Sequence, residues 1–235
     1  MKQITSLLLS GLLLLSLSSC LDSITGNGVR ATENRTVPFF NKVKSDGSFK
    51  VYITNSEETD VVVSADENLL QYIETYVSGE TLHLDIEEWH SVKAVVPLEV
   101  YIAMPELEGI VQSGSGRITT DYYEAGHFDV TLSGSGSIYT EFASESAELV
   151  LSGSGKIEIA GYADYAKMKI SGSGNIEGAD FEVTNCRTYT SGSGNMWLNV
   201  ENELESHISG SGNVYYYGSP TVEKSVSGSG NVIQK

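Results

Sequence analysis

A tetrapeptide, Ser-Gly-Ser-Gly, recurs through the second half of the chain at almost constant spacing. Its copies begin at Ser113, Ser133, Ser152, Ser171, Ser191, Ser209 and Ser227. Successive copies are 18 to 20 residues apart, which is too regular for a flexible Gly/Ser linker. Such a fixed period is typical of solenoids, in which each repeat forms one coil and stacks on the next.

Apolar residues recur at fixed distances from each tetrapeptide. Five residues after its first serine lie Ile118, Ile138, Ile157, Ile176, Met196, Val214 and Val232. One residue before the later copies lie Leu132, Leu151, Ile170, Thr190, Ile208 and Val226, and five before them lie Phe128, Ala147, Ala166, Cys186, Leu204 and Val222. Residues so far apart share no face of one helix or strand, so these columns indicate side chains stacked inside successive coils.

Each coil is expected to hold one strand after the tetrapeptide and one before the next copy, joined by a variable loop such as residues 161–165. Equivalent strands of stacked coils pair in parallel, and parallel connections are right-handed in nearly all proteins. The sequence therefore predicts an all-β protein, a right-handed parallel β-helix with about 18 to 20 residues per coil. A left-handed β-helix built from hexapeptide repeats is the alternative, but no six-residue repeat is visible in the sequence.

The tetrapeptide is interpreted as the corner of the coil, because glycine permits positive φ and a close approach of neighbouring backbones. The glycines assigned to this turn are Gly114, Gly116, Gly134, Gly136, Gly153, Gly155, Gly172, Gly174, Gly192, Gly194, Gly210, Gly212, Gly228 and Gly230. Serine hydroxyls are expected to bond along the stack or within their own turn. The asparagines that follow four of the copies indicate either an amide ladder or a left-handed backbone conformation. A phosphate-binding loop is disfavoured, since Walker spacing is missing.

Residues 37–112 carry strand signals without the repeat and are interpreted as irregular N-terminal coils, continuous in one domain with the repeats of 113–235. Alternating patterns predict strands at 49–53, 81–86 and 98–102. The turns at 46–48 and 78–80 resemble degenerate tetrapeptides. A short helix is expected over 67–73, with Asp66 as its N-cap.

The chain begins with a lysine and a leucine-rich run that ends in Leu-Ser-Ser-Cys. Residues 1–19 are therefore predicted to be a lipoprotein signal peptide, Cys20 the lipidated residue, and residues 20–36 a tether. The alternative is ordinary signal-peptidase cleavage, with Cys20 incidental. The lipid would be the only attachment to a membrane.

The formal net charge of −17 excludes nucleic acid as a natural partner, since phosphate backbones would be repelled. Cys186 falls in an inward column and is expected to be a core residue. The four histidines show no metal-ligand spacing, so neither a metal nor a cofactor is predicted. Paired glutamates in the chain leave a weak calcium site as an open alternative.

One outward column reads Thr119, Tyr139, Glu158, Glu177, Trp197 and Tyr215. Its aromatic members, Trp197, Tyr215 and Tyr139, together with Tyr217, are the candidate ligand-binding residues for a glycan or a surface protein. Glu158 and Glu177 would stack about 5 Å apart, near the spacing of a retaining glycosidase pair. Solvated surface glutamates are the alternative interpretation.

The last repeat stops at residues 231–235 without an evident capping element. An unpaired parallel edge invites pairing with another chain, so self-association into a homo-oligomer through the C-terminal edge is a further hypothesis. Lys235 is a candidate guard against it.

The cysteine at the end of the apolar leader, the segment Met104-Pro105-Glu106-Leu107 and the train of Ser-Gly-Ser-Gly coils together resemble the putative auto-transporter adhesin family, also called the head GIN domain family. The resemblance spans residues 39–235 and implies a β-helix with a binding or scaffold role and no catalytic residues. It favours a non-enzymatic lipoprotein of the cell envelope, in the outer membrane of a Gram-negative bacterium, with its periplasmic or surface exposure open. The alternatives are a carbohydrate-active enzyme, either a polysaccharide lyase or a hydrolase, and a lipid-handling or stress-related envelope protein.

Overall fold

The computed structural model describes residues 23–235, which are nearly all β-strand. The elements of the first half are β1 (Ser23–Thr25), β2 (Arg30–Asn34), β3 (Lys42–Gly47), β4 (Lys50–Asn55), β5 (Asp60–Asp66), a 3-10 helix (Leu70–Tyr72), β6 (Ile73–Ser78), β7 (Thr81–Ile86), β8 (Ser91–Lys93) and β9 (Glu99–Met104). Those of the second half are β10 (Gly109–Gly114), β11 (Arg117–Gly134), β12 (Ser137–Gly153), β13 (Lys156–Gly172), β14 (Asn175–Gly192), β15 (Asn195–Gly210), β16 (Asn213–Tyr217), β17 (Thr221–Gly228) and β18 (Asn231–Gln234).

The second half is a parallel β-solenoid of about seven turns with roughly 19 residues per turn, as predicted. Its register follows the tetrapeptides: Ile118 pairs with Ile138, and Ser133 with Ser152. The prediction of two strands joined by a loop is wrong, because residues 161–165 lie inside the continuous strand β13. Coils of unequal length stay in register through shifts within the strands, such as the one between Glu158 and Ala160.

The three predicted apolar columns form the core. All six residues from Ile118 to Val214 in the first column, and Phe128, Ala166 and Leu204 in the third, have no exposed surface. The rings of Phe128 and Phe142 stack with their centroids 4.2 Å apart. Burial weakens only in the last coil, where Val226 is 41% exposed.

The tetrapeptide forms a tight corner, and its first glycine always has positive φ, from 101° at Gly114 to 132° at Gly210. The carbonyl of each such glycine from Gly114 to Gly210 accepts two backbone hydrogen bonds from the next coil. For Gly114 these come from Ser135 N–H at 3.0 Å and Gly136 N–H at 2.9 Å. The bonds that link the corners are therefore contributed by the backbone.

The predicted asparagine ladder is confirmed beside the corner. Asn195 Nδ2 donates to Asn175 Oδ1 at 3.4 Å, Asn213 to Asn195 at 3.1 Å, and Asn231 to Asn213 at 3.4 Å. Each amide thus bonds the equivalent amide of the preceding coil, which holds the stack in register.

Residues 23–108 form an N-terminal cap, which contains one regular coil and several antiparallel strands. Strands β3 and β4 are that coil, since Gly47 pairs with Gly114 and β4 pairs with β11. On one side the sheet continues through β9, β5 and β2, and on the other through β7 and β6. The turn at 78–80 is not a solenoid corner, because it joins β6 and β7 as an antiparallel hairpin.

Asp66 does not cap a helix as predicted. In place of the helix expected over residues 67–73, the structure has a 3-10 helix at Leu70–Tyr72, without a side-chain cap. The buried Asp66 carboxylate instead accepts the N–H groups of Gly28 at 2.6 Å, Val95 at 2.9 Å and Val96 at 3.1 Å. It therefore fastens two loops of the cap to β5.

The predicted tether is largely part of the fold. Strand β1 pairs in parallel with β8, and β2 pairs antiparallel with β5. These strands are short, and their partners lie 28 or more positions further along the chain, so no local sequence pattern indicates the pairing. The predicted signal peptide, residues 1–19, and Cys20 lie outside the described residues.

Candidate binding surface on the outer face of the solenoid

One column of outward side chains runs along the cap and the solenoid. Each member of this outward column follows directly after a residue of the buried apolar column that includes Ile118 and Val214. We call it the outer column, and its members in spatial order are Tyr101, Tyr52, Thr119, Tyr139, Glu158, Glu177, Trp197, Tyr215 and Ile233. Strand alternation directs these side chains away from the core. At about 4.8 Å per coil the column is roughly 38 Å long.

The C-terminal end of the outer column brings two of the predicted ligand-binding residues together. The rings of Trp197 and Tyr215 stack with their centroids 5.2 Å apart at 20°, and Lys235 Nζ lies 4.7 Å from the centre of the Tyr215 ring. Rings that stack across adjacent coils direct their faces along the solenoid axis. Solvent therefore meets the ring edges, not the faces.

The other two candidates stand apart from this pair. Tyr217 is 40% exposed and pairs with Asn199, two positions beyond the outer column. Tyr139 is separated from Trp197 by two glutamates, and its ring lies 5.2 Å from the Arg117 guanidinium. The structure thus gathers two of the four residues into one contact.

Sequence reasoning missed a second aromatic pair at the N-terminal end of the column. Tyr52 and Tyr101 stack with their ring centroids 5.3 Å apart. Burial and the neighbouring Glu99 raise the pKa of the Tyr101 phenol. Each member of the outer column from Thr119 onward lies six residues after the first serine of a tetrapeptide, as Thr119 does after Ser113. Gly47 is also a corner glycine, so Asp46 takes the place of that serine, and the same offset from Asp46 predicts Tyr52.

The middle of the column is acidic and held by one cation. Lys156 Nζ lies 2.9 Å from a carboxylate oxygen of Glu158 and 2.8 Å from one of Glu177. Glu177 and then Glu158 raise the pKa of Lys156, so that it stays charged. Beside this trio is a shallow depression of about 220 Å³, whose acidic lining residues are Glu141, Glu158 and Asp180.

A second depression, of about 400 Å³, lies on the other wall near the C-terminal end and was also missed. Tyr189 and His207 line it, with their ring centroids 5.1 Å apart. His207 Nε2 lies 2.8 Å from Glu205, which in turn pairs with Arg187. The hydrogen bond from His207, followed by that from Arg187, lowers the pKa of Glu205. Tyr189 and His207 each lie two residues before a tetrapeptide, so an alignment of that position would have predicted their contact.

Cys186 lies in the core column where the sequence placed it and is 3% exposed. Burial raises the pKa of its thiol to about 12. Within residues 23–235 no group of three or more His, Cys, Asp or Glu side chains is arranged to hold a metal ion. Nor does any helix in that range have the length and apolarity of a membrane span.

Solved structures share this architecture. A crystal structure described as a putative adhesin from Bacteroides fragilis superposes with a TM-score of 0.83 at 23% identity, covering 90% of this chain and all of that one. One described as a putative lipid binding protein from Parabacteroides distasonis gives 0.76 at 23% identity over 91% of this chain and 99% of its own. A putative adhesin from Parabacteroides merdae gives 0.72 at 25% identity, with the same coverage. At such identities the likeness shows the fold.

No curated protein matches this sequence. The family model described as putative auto-transporter adhesin, head GIN domain, matches residues 39–220. That range takes in most of the cap and nearly all of the solenoid. The chain therefore belongs to the head GIN domain family.

Proposed function

We propose that this protein is a lipid-anchored, non-enzymatic binding protein of the cell envelope, an adhesin-type scaffold that presents the outer column to a partner. The observation that carries the proposal is the long flat wall, with an aromatic pair at each end and an ion-paired centre. Trp and Tyr side chains that are partly exposed, as Trp197 and Tyr215 are, combine apolar area with a polar tip and commonly anchor protein interfaces. The description of the family and of its solved relatives agrees with this role.

The ring geometry favours a protein partner over a saccharide. Stacking on a sugar requires a free ring face, whereas Trp197 and Tyr215 cover each other and Lys235 covers the second face of Tyr215. Ring edges, hydroxyls and the alternating charges around Lys156 suit a flat polar surface with a few apolar contacts. A saccharide bound here would be held by hydrogen bonds along the edges.

Binding is tested with beads that carry the chain from residue 20 onward, incubated with candidate host or bacterial surfaces. Replacing both Trp197 and Tyr215 with Ala should reduce bead retention. Tyr162→Ala is the matched control, since Tyr162 is a 38% exposed aromatic outside the outer column. Equal retention of the double variant and the control would remove the outer column from the binding site.

The anchor and the location are tested separately in cells. Mass analysis of the N-terminal peptide should show acyl chains on Cys20, and Cys20→Ala should release the protein from membranes. Protease treatment of intact cells, followed by blotting, then separates surface exposure in the outer membrane from a periplasmic position. Digestion only after lysis would count against an adhesin that reaches other cells.

A carbohydrate-active enzyme is the second candidate, favoured by the three carboxylates that line the depression beside Tyr139. Against it, Glu158 is already paired with Lys156 on an open wall. Incubation with acidic and neutral glycans decides: cleavage that disappears in Glu158→Gln would establish an enzyme, and binding without cleavage supports the scaffold.

A further inference from the structure

The N-terminal cap carries the most exposed apolar surface of the described chain. Four large hydrophobic side chains of residues 23–235 have more than half of their surface in water, and all four lie in the cap: Trp89 (80%), Phe39 (61%), Val95 (60%) and Val29 (54%). The solenoid itself exposes no such side chain to that extent within the described residues. A large apolar side chain this exposed in the cap is a candidate for contact with a partner, and Trp89 is the strongest of the four.

Trp89 is the most exposed of them and has an unfavourable backbone. It lies in the turn closed by the hydrogen bond from His90 N–H to Glu87 O at 3.2 Å, and its φ is 69°. Glycine is the favoured residue for positive φ at the third position of a turn, and a bulky side chain there is an outlier. Such outliers cluster at functional sites, because folding alone does not favour them.

The turn is fixed at its base, so that Trp89 projects from a defined position. Glu87 N–H donates to Tyr72 O at 2.8 Å, and the His90 ring lies 4.8 Å from the Tyr72 ring, measured between centroids. The exposed indole is thus presented by a held loop. Trp, like Tyr, is enriched at the interface between lipid and water.

The short sheet of β1 and β8 places this turn beside the predicted lipid. Ser23 pairs with Ser91 in parallel, so the chain enters β1 at the end of the sheet where Trp89 enters β8. Cys20 is three residues before Ser23, and three residues span at most about 11 Å. A lipid on Cys20 therefore attaches within that distance of the end of the sheet that carries the Trp89 turn.

We propose that the cap end of the protein lies on a zwitterionic lipid surface, with Trp89 inserted at the interface beside the lipid of Cys20. This inference rests on the proposed lipid anchor. Glu87 and Glu88 immediately precede Trp89, and the chain carries a net charge of −17, so an anionic surface would repel the cap. Anchoring raises the local concentration of the loop at the bilayer, so one weak insertion suffices.

The chain offers a matched pair of reporters, because its only two tryptophans are Trp89 and Trp197. The mature chain from Cys20 is coupled through that thiol to a maleimide lipid in phosphatidylcholine vesicles; Cys186 is buried and stays unmodified. In the Trp197→Phe protein, Trp89 emission should shift to the blue and be quenched by brominated phosphatidylcholine. In the Trp89→Phe protein, Trp197 emission should change in neither respect.

Several outcomes would overturn the docking. Trp89 emission could remain unshifted and unquenched in protein that floats with the vesicles. Quenching that is equal or greater in anionic vesicles would refute the zwitterionic surface, and a blue shift that grows with protein concentration without vesicles would identify a second copy as the occupant. Because the lipid is attached chemically, none of these results depends on whether cells acylate Cys20. Acylation in cells is tested separately, by the mass analysis of the N-terminal peptide.

Discussion

Replacing Gly172 with Ala tests the role of the corner in a middle coil. Gly172 has a φ of 127°, and a Cβ there would overlap the Gly153 carbonyl oxygen and lie 3.1 Å from its carbonyl carbon. A non-glycine residue in such a conformation costs about 1–3 kcal/mol. Moving the corners apart weakens the two hydrogen bonds that Gly153 O accepts from Ser173 and Gly174, worth about 0.5–1.5 kcal/mol each.

The expected loss of unfolding free energy is therefore about 2–6 kcal/mol. Because 1 kcal/mol shifts the melting temperature of a domain of this size by about 2–4 °C, the melting temperature should fall by at least about 4 °C. Thermal and urea unfolding, followed by circular dichroism, measure the change.

Three other glycines separate the two contributions. Gly47→Ala tests the dihedral alone, since φ is 102° with open space around a new Cβ. Gly174→Ala tests the overlap alone, because its φ is not in the positive range and its Cβ would meet Gly155 O. Gly126→Ala meets neither obstacle and should be neutral or stabilise by about 0.4–1 kcal/mol. If Gly172→Ala unfolds like Gly126→Ala, the account of the corner is refuted.

Three further predictions concern other parts of the fold. Burial alone would raise the pKa of Asp66, but the N–H groups of Val95, Gly28 and Val96 outweigh it and hold the pKa below its usual value. The ionised Asp66 therefore stabilises the fold above the unfolded pKa of about 3.9, and this stabilisation is lost as the pH falls through the lower pKa of the folded state. Asp66→Asn should therefore lower the melting temperature at neutral pH and flatten its acid dependence below pH 4, and an unchanged acid profile would contradict this role. The Cys186 thiol, with its pKa raised to about 12, should resist iodoacetamide in the folded protein at pH 8 and react fully in urea; a Cys20→Ser background isolates it, and equal rates in both states would disprove its burial. We also propose that β17, which within residues 23–235 pairs only with β15, is an edge for self-association. The guard proposed from the sequence, Lys235, lies over the Tyr215 ring, so we assign the restraint to Lys224 on β17 itself. Lys224→Val should raise the average mass in sedimentation equilibrium, and a monomer for both proteins at every concentration would refute this.

The solenoid could be predicted because its evidence repeats. A single isoleucine such as Ile157 says little, but an apolar residue at the same offset from every tetrapeptide leaves few arrangements other than stacked coils. The same holds for the asparagine ladder, since Asn175, Asn195 and Asn213 share one offset and contact each other in the structure. Residues at the same offset in successive repeats can therefore be predicted to contact each other, although they lie about 19 residues apart in the sequence.

The cap could not be predicted in the same way, because its contacts occur once. Strand β2 pairs with β5, and Asp66 joins segments around Gly28 and Val95, but no second copy of these pairs exists to reveal the register. Asp66 preceded a helix-like pattern, and so it resembled an N-cap. A carboxylate that binds three distant N–H groups has no local signature.

The candidate surface falls between these cases. The offset placed Trp197 and Tyr215 in one column, but column membership does not determine side-chain torsions. Whether the rings offer faces or edges depends on the coil spacing and on Lys235 above Tyr215. The sequence therefore predicted that Trp197 and Tyr215 lie in one column, but it did not predict which parts of their rings are available to a ligand.

The matched corners make the length of the solenoid adjustable in whole units. Because each corner of the solenoid repeats the same backbone bonds, duplicating or deleting one coil, from one tetrapeptide to the next, leaves the same corner bonds at the new junction. The span between the cap and the far end then changes in steps of about 4.8 Å.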